Sequence, residues 1–196
     1  MQIMKNKIQL LKKCKVCGSK DLTEVLTLNE QYLSPTFVKT NKNNPLAEIK
    51  SPLTLVLCDK SKNKNNCGLL QLKEITEADL LYKDYFYRTA TNDTMRKDLK
   101  ELVDQVMNIV KPADEDFIVD IGSNDCTMLN FYSNNFNLVG FEPAQNIKFI
   151  SKNKNIKVIN NYFNSKNFKD NYIDKKAKII TSCEMFYDLK NTIKFV

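Results

Sequence analysis

Histidine and tryptophan are absent from the 196-residue chain. Without an imidazole, no side chain has an ordinary pKa near neutrality, so a self-contained histidine-based acid–base site is excluded. No apolar run reaches the roughly 18 residues that a membrane span requires, and the N-terminus lacks the apolar core and small-residue cleavage site of a secretory signal. The expectation is a cytoplasmic protein with no membrane partner.

What is present is enough to fold. Apolar residues make up 42% of the chain, which allows one ordinary domain or a small domain leading into a larger one. The formal charge is +7, and such a balance raises nucleic acid as a partner. The lysines, however, are spread along the sequence (Lys5, Lys42, Lys60, Lys100, Lys152, Lys175). They read as solvated surface, and nucleic acid is not the expected partner.

Six cysteines in a chain without a secretory signal point to reduced thiols used for metal binding or reactivity. Cys14-x2-Cys17-Gly18 is a knuckle that wraps one side of a tetrahedral ion. Cys58 ends the alternating run 53–57, and Cys67-Gly68 opens the apolar run 69–72, so a hairpin would carry both sulfurs at its tip. Cys14, Cys17, Cys58 and Cys67 are the expected ligands of a structural Zn2+, closed by four protein donors. Residues 22–28 are expected to add a strand, and 41–45 a turn.

From Thr91 the period changes. Met95, Leu99, Leu102, Val103, Val106, Met107 and Val110 form one stripe on a helix of about 18 residues, with Asn92 as N-cap and Pro112 ending it. Before it, Tyr85-Phe86-Tyr87-Arg88-Thr89 reads as a loop whose tyrosines could line a pocket.

Residues 117–121 form a continuous apolar run that enters the bend Gly122-Ser123-Asn124-Asp125, followed by a helical segment through Met128, Leu129 and Tyr132. A second strand, 137–141, ends at Glu142-Pro143, and Glu142 lies 22 residues after Asp120. A carboxylate there can accept both hydroxyls of an adenosine ribose. A helix from Ala144 and strands at 156–159 and 178–182 follow, which implies a parallel sheet with right-handed crossovers. Adenosine occurs in both NAD and S-adenosylmethionine. A pyrophosphate site wants several glycines, whereas this bend keeps one and carries Asp125, which suits a sulfonium better. The cofactor-binding candidates are Asp120, Gly122, Asn124, Asp125, Glu142 and Pro143. Cys126 and Cys183, at the ends of neighbouring strands, raise the further question of whether both thiols face one cleft.

Taken in order, Cys14-x2-Cys17, Cys58…Cys67-Gly68-Leu69-Leu70-Gln71-Leu72, Tyr85-Phe86-Tyr87-Arg88, Asn92-x-Thr94-Met95-Arg96, Asp120-Ile121-Gly122-Ser123-Asn124-Asp125, Gly140-Phe141-Glu142-Pro143-Ala144 and Met185-Phe186-Tyr187-Asp188-Leu189 resemble the sugar C-methyltransferases that carry an N-terminal zinc-binding domain. The resemblance implies a nucleotide-activated keto-sugar as methyl acceptor, S-adenosylmethionine as donor, and Tyr85 or Tyr87 facing the sugar. It also implies a base that removes a proton alpha to the ketone, so that the enolate carbon attacks the methyl in line. No catalytic residue is assigned. Two departures stand out. Cys126 occupies a position where the family has glycine, and the chain is about half the family's usual length, so a truncated form or a separately encoded C-terminal half is expected.

The expected architecture is α/β. A zinc-ribbon-like β module over 1–75 leads through connecting helices over 76–112 into a partial Rossmann-like, S-adenosylmethionine-binding domain over 113–196. The alternatives are a zinc-ribbon nucleic-acid-binding module and an NAD-linked oxidoreductase fragment.

Overall fold

A computed structural model describes residues 8–33, 49–149 and 155–196; the turn expected at 41–45 lies outside them. The chain forms two compact units, one containing residues up to Leu81 together with Tyr187–Val196, the other spanning Tyr82–Phe186.

The first unit is built from antiparallel strands. β2 (Leu22–Tyr32) pairs with β3 (Lys50–Cys58), which pairs with β4 (Leu70–Leu72). β1 (Ile8–Leu10) pairs separately with β5 (Glu74–Thr76). Along β3 the side chains of Thr54, Val56 and Cys58 are buried and their neighbours more open, as a period of two requires. The strand expected at 22–28 is the first part of β2. Helix α1 (Ala78–Tyr82) follows β5, and a last short helix, α4 (Thr192–Phe195), also belongs to this unit; α2 and α3 lie in the other.

In the second unit, α2 (Asp93–Val110) is the helix that the apolar stripe predicts. The Asn92 side chain accepts the Met95 amide at 3.0 Å, and the helix ends as Lys111 turns left-handed, φ 47°, before Pro112. Its buried face, centred on Val103 with Leu99, Leu102, Val106, Met107 and Val110, packs on the core formed by Ile118, Leu129 and Leu138.

That core supports a sheet of four parallel strands: β6 (Phe117–Ile121), β7 (Asn137–Phe141), β8 (Ile156–Ile159) and β9 (Ala177–Thr181), in spatial order β8-β7-β6-β9. The central strand β6 is covered on both faces, with Ile118, Val119, Asp120 and Ile121 all buried, which is why its sequence lacks alternation. Helix α3 (Ser165–Asn171), capped by Asn164, lies between β8 and β9.

Two expected helices are absent. The segment through Met128, Leu129 and Tyr132 makes a single 3-10 turn, Leu129–Phe131. Asn124 and Cys126 are both left-handed, φ 49° and 67°, and this kills an α-helical path out of the bend. Residues 144–149 are irregular as well. The Ala144 amide bonds the Glu142 carboxylate, the Gln145 amide the Lys83 carbonyl, and the Asn160 side chain the Ala144 carbonyl, and these bonds hold the segment in its irregular path.

Candidate functional site

Each unit carries one site. In the first, the C-x2-C knuckle and the β3–β4 hairpin bring four sulfurs together, with all four Sγ atoms within 4.8 Å of one another. Cys14 Sγ lies 3.5 Å from Cys67 Sγ, and Cys17 Sγ 3.4 Å from Cys58 Sγ. A zinc ion about 2.3 Å from each sulfur would separate them by about 3.8 Å, so the cluster is the right size for tetrahedral coordination. The knuckle closes through the Gly18 amide to the Cys14 carbonyl and the Cys14 amide to the Ser19 carbonyl. Gly18 can do this because its φ is +74°, a conformation that strains any residue with a Cβ.

Polar residues that sequence reasoning passed over support the cluster. Buried Gln71 accepts the Lys15 amide through Oε1 at 3.0 Å, which ties the knuckle to β4. Buried Asn66 donates to the Asp59 carbonyl at 2.6 Å and pins the loop between Cys58 and Cys67. A Gln inside the run Leu70-Gln71-Leu72 was the available signal, since an alternating strand would turn it inward.

Electrostatically the thiols are unequal. Burial works against the Cys14 thiolate, but the amides of Cys17 and Val16 and the Gln71 side chain outweigh it and bring the thiol down to about 6. Burial pushes Cys58 up to about 12. Four sulfurs this close do not all ionise by themselves, and a dication is what allows it.

In the second unit an open cleft lies at the carboxyl ends of the strands. Of the residues expected to bind a ligand, Asp120, Gly122, Asn124 and Tyr87 line it; Asp125, Glu142, Pro143 and Tyr85 do not. Met95, Leu99 and Met128 supply an apolar wall, and Cys183 and Glu184 add a thiol and a second acid. Of the two thiols considered together above, only Cys183 lines the cleft; Cys126 is fully buried in the core beneath it.

The bend after β6 is fixed from several directions. The Glu142 carboxylate accepts the Asn124 amide and the Ala144 amide, each at 2.8 Å, so the ends of β6 and β7 are joined. Burial raises the Glu142 pKa, against those two amides and Arg88. The Asp120 carboxyl accepts the Thr181 hydroxyl at 2.7 Å across the sheet. Complete burial lifts it to about 6, with Thr181 opposing and Glu142 adding to the rise. Thr181, which sequence reasoning did not single out, is found only through the register that sets it opposite Asp120.

These features define an α/β protein with a four-cysteine metal module and an acid-walled cleft on a parallel sheet. Residues 14–82 match the family model described as "Putative zinc binding domain". The chain is also 24% identical over 157 residues to the C-methyltransferase NovU of Streptomyces niveus, a match that takes in 80% of this chain and 36% of that protein. The chain therefore spans about a third of the length of the curated relative it matches. Both findings agree with the resemblance in the motifs: residues 14–82 are similar to a zinc-binding domain, and most of the chain is similar to part of a C-methyltransferase.

Proposed function

We propose that the second unit is a Rossmann-like domain that binds S-adenosylmethionine in its cleft, and that the chain serves in methylation at carbon of a nucleotide-activated keto-sugar. The observation that carries the reading is the lining of the cleft. Among the described residues it contains two carboxylates, Asp120 and Glu184, and no lysine or arginine. Such a wall repels a pyrophosphate and favours a cation, which argues for a sulfonium cofactor over NAD. The β8-β7-β6-β9 order supports it, because Gly122 and Glu142 then lie at adjacent strand ends, where an adenosine would rest.

When bound, the cofactor would supply an electrophilic methyl group. Asp120 and Glu184 would hold its positive charge, the bend 122–124 would accommodate its adenosine, and Glu142, behind the cleft, would hold that bend in place through the Asn124 amide. Tyr87, in the cleft wall, would face the acceptor. Burial, together with Glu184 and Asp125, raises its pKa, so it remains a neutral hydroxyl that can donate a hydrogen bond. The residue that removes the sugar proton is not assigned. In the first unit Cys14, Cys17, Cys58 and Cys67 would hold Zn2+ with no open position, which makes its role structural.

Isothermal titration of the chain with S-adenosylhomocysteine and, separately, with NAD tests the reading. Binding of the former alone is expected; binding of NAD alone would overturn it.

One observation favours a second role for the first unit. Lys12, Lys13, Lys20, Lys60, Lys62 and Lys64 are all exposed and lie within four residues of a ligand cysteine, so folding gathers lysines that are dispersed in sequence. No aromatic residue stands among residues 11–20 or 59–68 for base stacking, so any nucleic-acid contact would be to phosphate and would weaken steeply with salt.

A further inference from the structure

Part of the cleft wall comes from a segment outside the sheet, the bend and α2. Residues 85–91 cross it as a strap, and two of them, Tyr87 and Thr89, line it. The strap has little regular structure of its own, only the 3-10 turn Thr89–Thr91. It is held by side chains from elsewhere in the unit. Asp125 Oδ2 accepts the Ala90 amide at 2.8 Å, while its Oδ1 accepts the Thr127 hydroxyl at 2.6 Å and the Thr127 amide at 3.2 Å. Asn124 accepts the Thr89 amide through Oδ1 at 3.1 Å and donates through Nδ2 to the Tyr87 carbonyl at 3.1 Å. Farther along, Asn146 exchanges two hydrogen bonds with the Tyr85 backbone, and Arg88 reaches the Asn146 carbonyl.

We infer that Asp125 is a positioning residue: with Asn124 it clips the strap 85–91 to the bend after β6, so that ordering this wall and filling the cleft are one coupled event. The inference rests on the reading that the cleft holds the cofactor. It changes the part that Asp125 plays there, because the carboxylate is fully buried, absent from the cleft lining and engaged by three donors. A charged acceptor holding one backbone amide is a strong clip, and the bend it sits in is the element a ligand would touch. A ligand that orders the bend therefore also orders Tyr87 and Thr89, and a loosened strap lowers affinity without any cofactor contact being lost.

Amide hydrogen exchange of the full chain, with and without S-adenosylhomocysteine, tests this in the wild type, in Asp125→Ala and in Asn124→Gly. Asp125→Ala removes the acceptor of the Ala90 amide outright. Asn124→Gly removes both strap bonds while tolerating the left-handed backbone at that position, and it serves if the first variant does not fold. Exchange at residues 87–91 should rise about 10-fold or more in either variant while the β6 amides stay protected. The ligand should slow exchange at 87–91 in the wild type, and binding should weaken several-fold in Asp125→Ala; for Asn124→Gly, which also removes a cleft-lining side chain, the exchange is the readout. Unchanged exchange at 87–91 in the folded variants would overturn the inference, as would faster exchange there with undiminished affinity. If the wild type binds no S-adenosylhomocysteine, the cofactor reading fails, and the ligand-free exchange still decides whether Asp125 is the clip.

Discussion

The Glu142 carboxylate accepts the backbone amide of Asn124 at 2.8 Å, so the end of β7 and the bend after β6 are tied by a charge-assisted bond. Its other oxygen is held by Ala144. Glu142→Gln leaves one acceptor oxygen and sets an NH2 against a backbone donor. A loss of about 1–3 kcal/mol in urea unfolding is expected, with at least a tenfold loss of S-adenosylhomocysteine affinity by calorimetry. Full affinity in a folded Glu142→Gln chain would place the adenosine elsewhere.

The cysteine cluster predicts one zinc ion per chain by elemental analysis. Cys58→Ser replaces a thiolate with a poor donor and should weaken zinc binding at least tenfold, measured by competition with a chromogenic chelator. Chelation should loosen amide protection in β3 and β4 and leave β6 and β7 protected, since the sulfurs lie in the other compact unit.

Asp120 gives stability a pH dependence of unusual sign. Its folded-state pKa is about 6 against an ordinary 3.8, so the native chain holds this proton where the unfolded chain has released it. Stability from this group is therefore fully present below about pH 4, is lost as pH rises through about 6, and stays low above that. About two pKa units correspond to something on the order of 3 kcal/mol. Asp120→Asn keeps an acceptor for the Thr181 hydroxyl and removes the titration. It should equal the wild type near pH 4 and exceed it at pH 7 in denaturant melts; equal stability at both pH values would refute the assignment.

Cys126 is buried at φ +67°, a conformation glycine adopts without strain. Cys126→Ala removes the sulfur and keeps the strain, whereas Cys126→Gly removes both. The glycine variant should be more stable than the alanine variant by about 1 kcal/mol in urea melts. The reverse order would mean that the left-handed backbone costs nothing here.

The reason this position could be suspected in advance, and its consequence could not, lies in what the chain writes locally. A cysteine after Asn124-Asp125 is visible as a departure from the family's glycine. Whether its sulfur enters the cleft or the core depends on the backbone dihedrals, and they send it into the core, away from the cleft lined by Cys183.

By itself the sequence determined whatever rests on period and spacing. The stripe from Met95 to Val110 marks α2, the continuous apolar runs mark buried parallel strands, and the paired cysteines mark a cluster able to hold a metal ion. These are local patterns, legible because neighbouring residues share one element. Only the tertiary structure decided what rests on neighbours distant in the chain. It set Thr181 on Asp120, gave the Asp125 carboxylate to the strap, and drew the four sulfurs together. It also set aside two expected helices among the described residues: left-handed Asn124 and Cys126 break the first, and the Lys83 carbonyl and Asn160 side chain hold residues 144–149 in an irregular path.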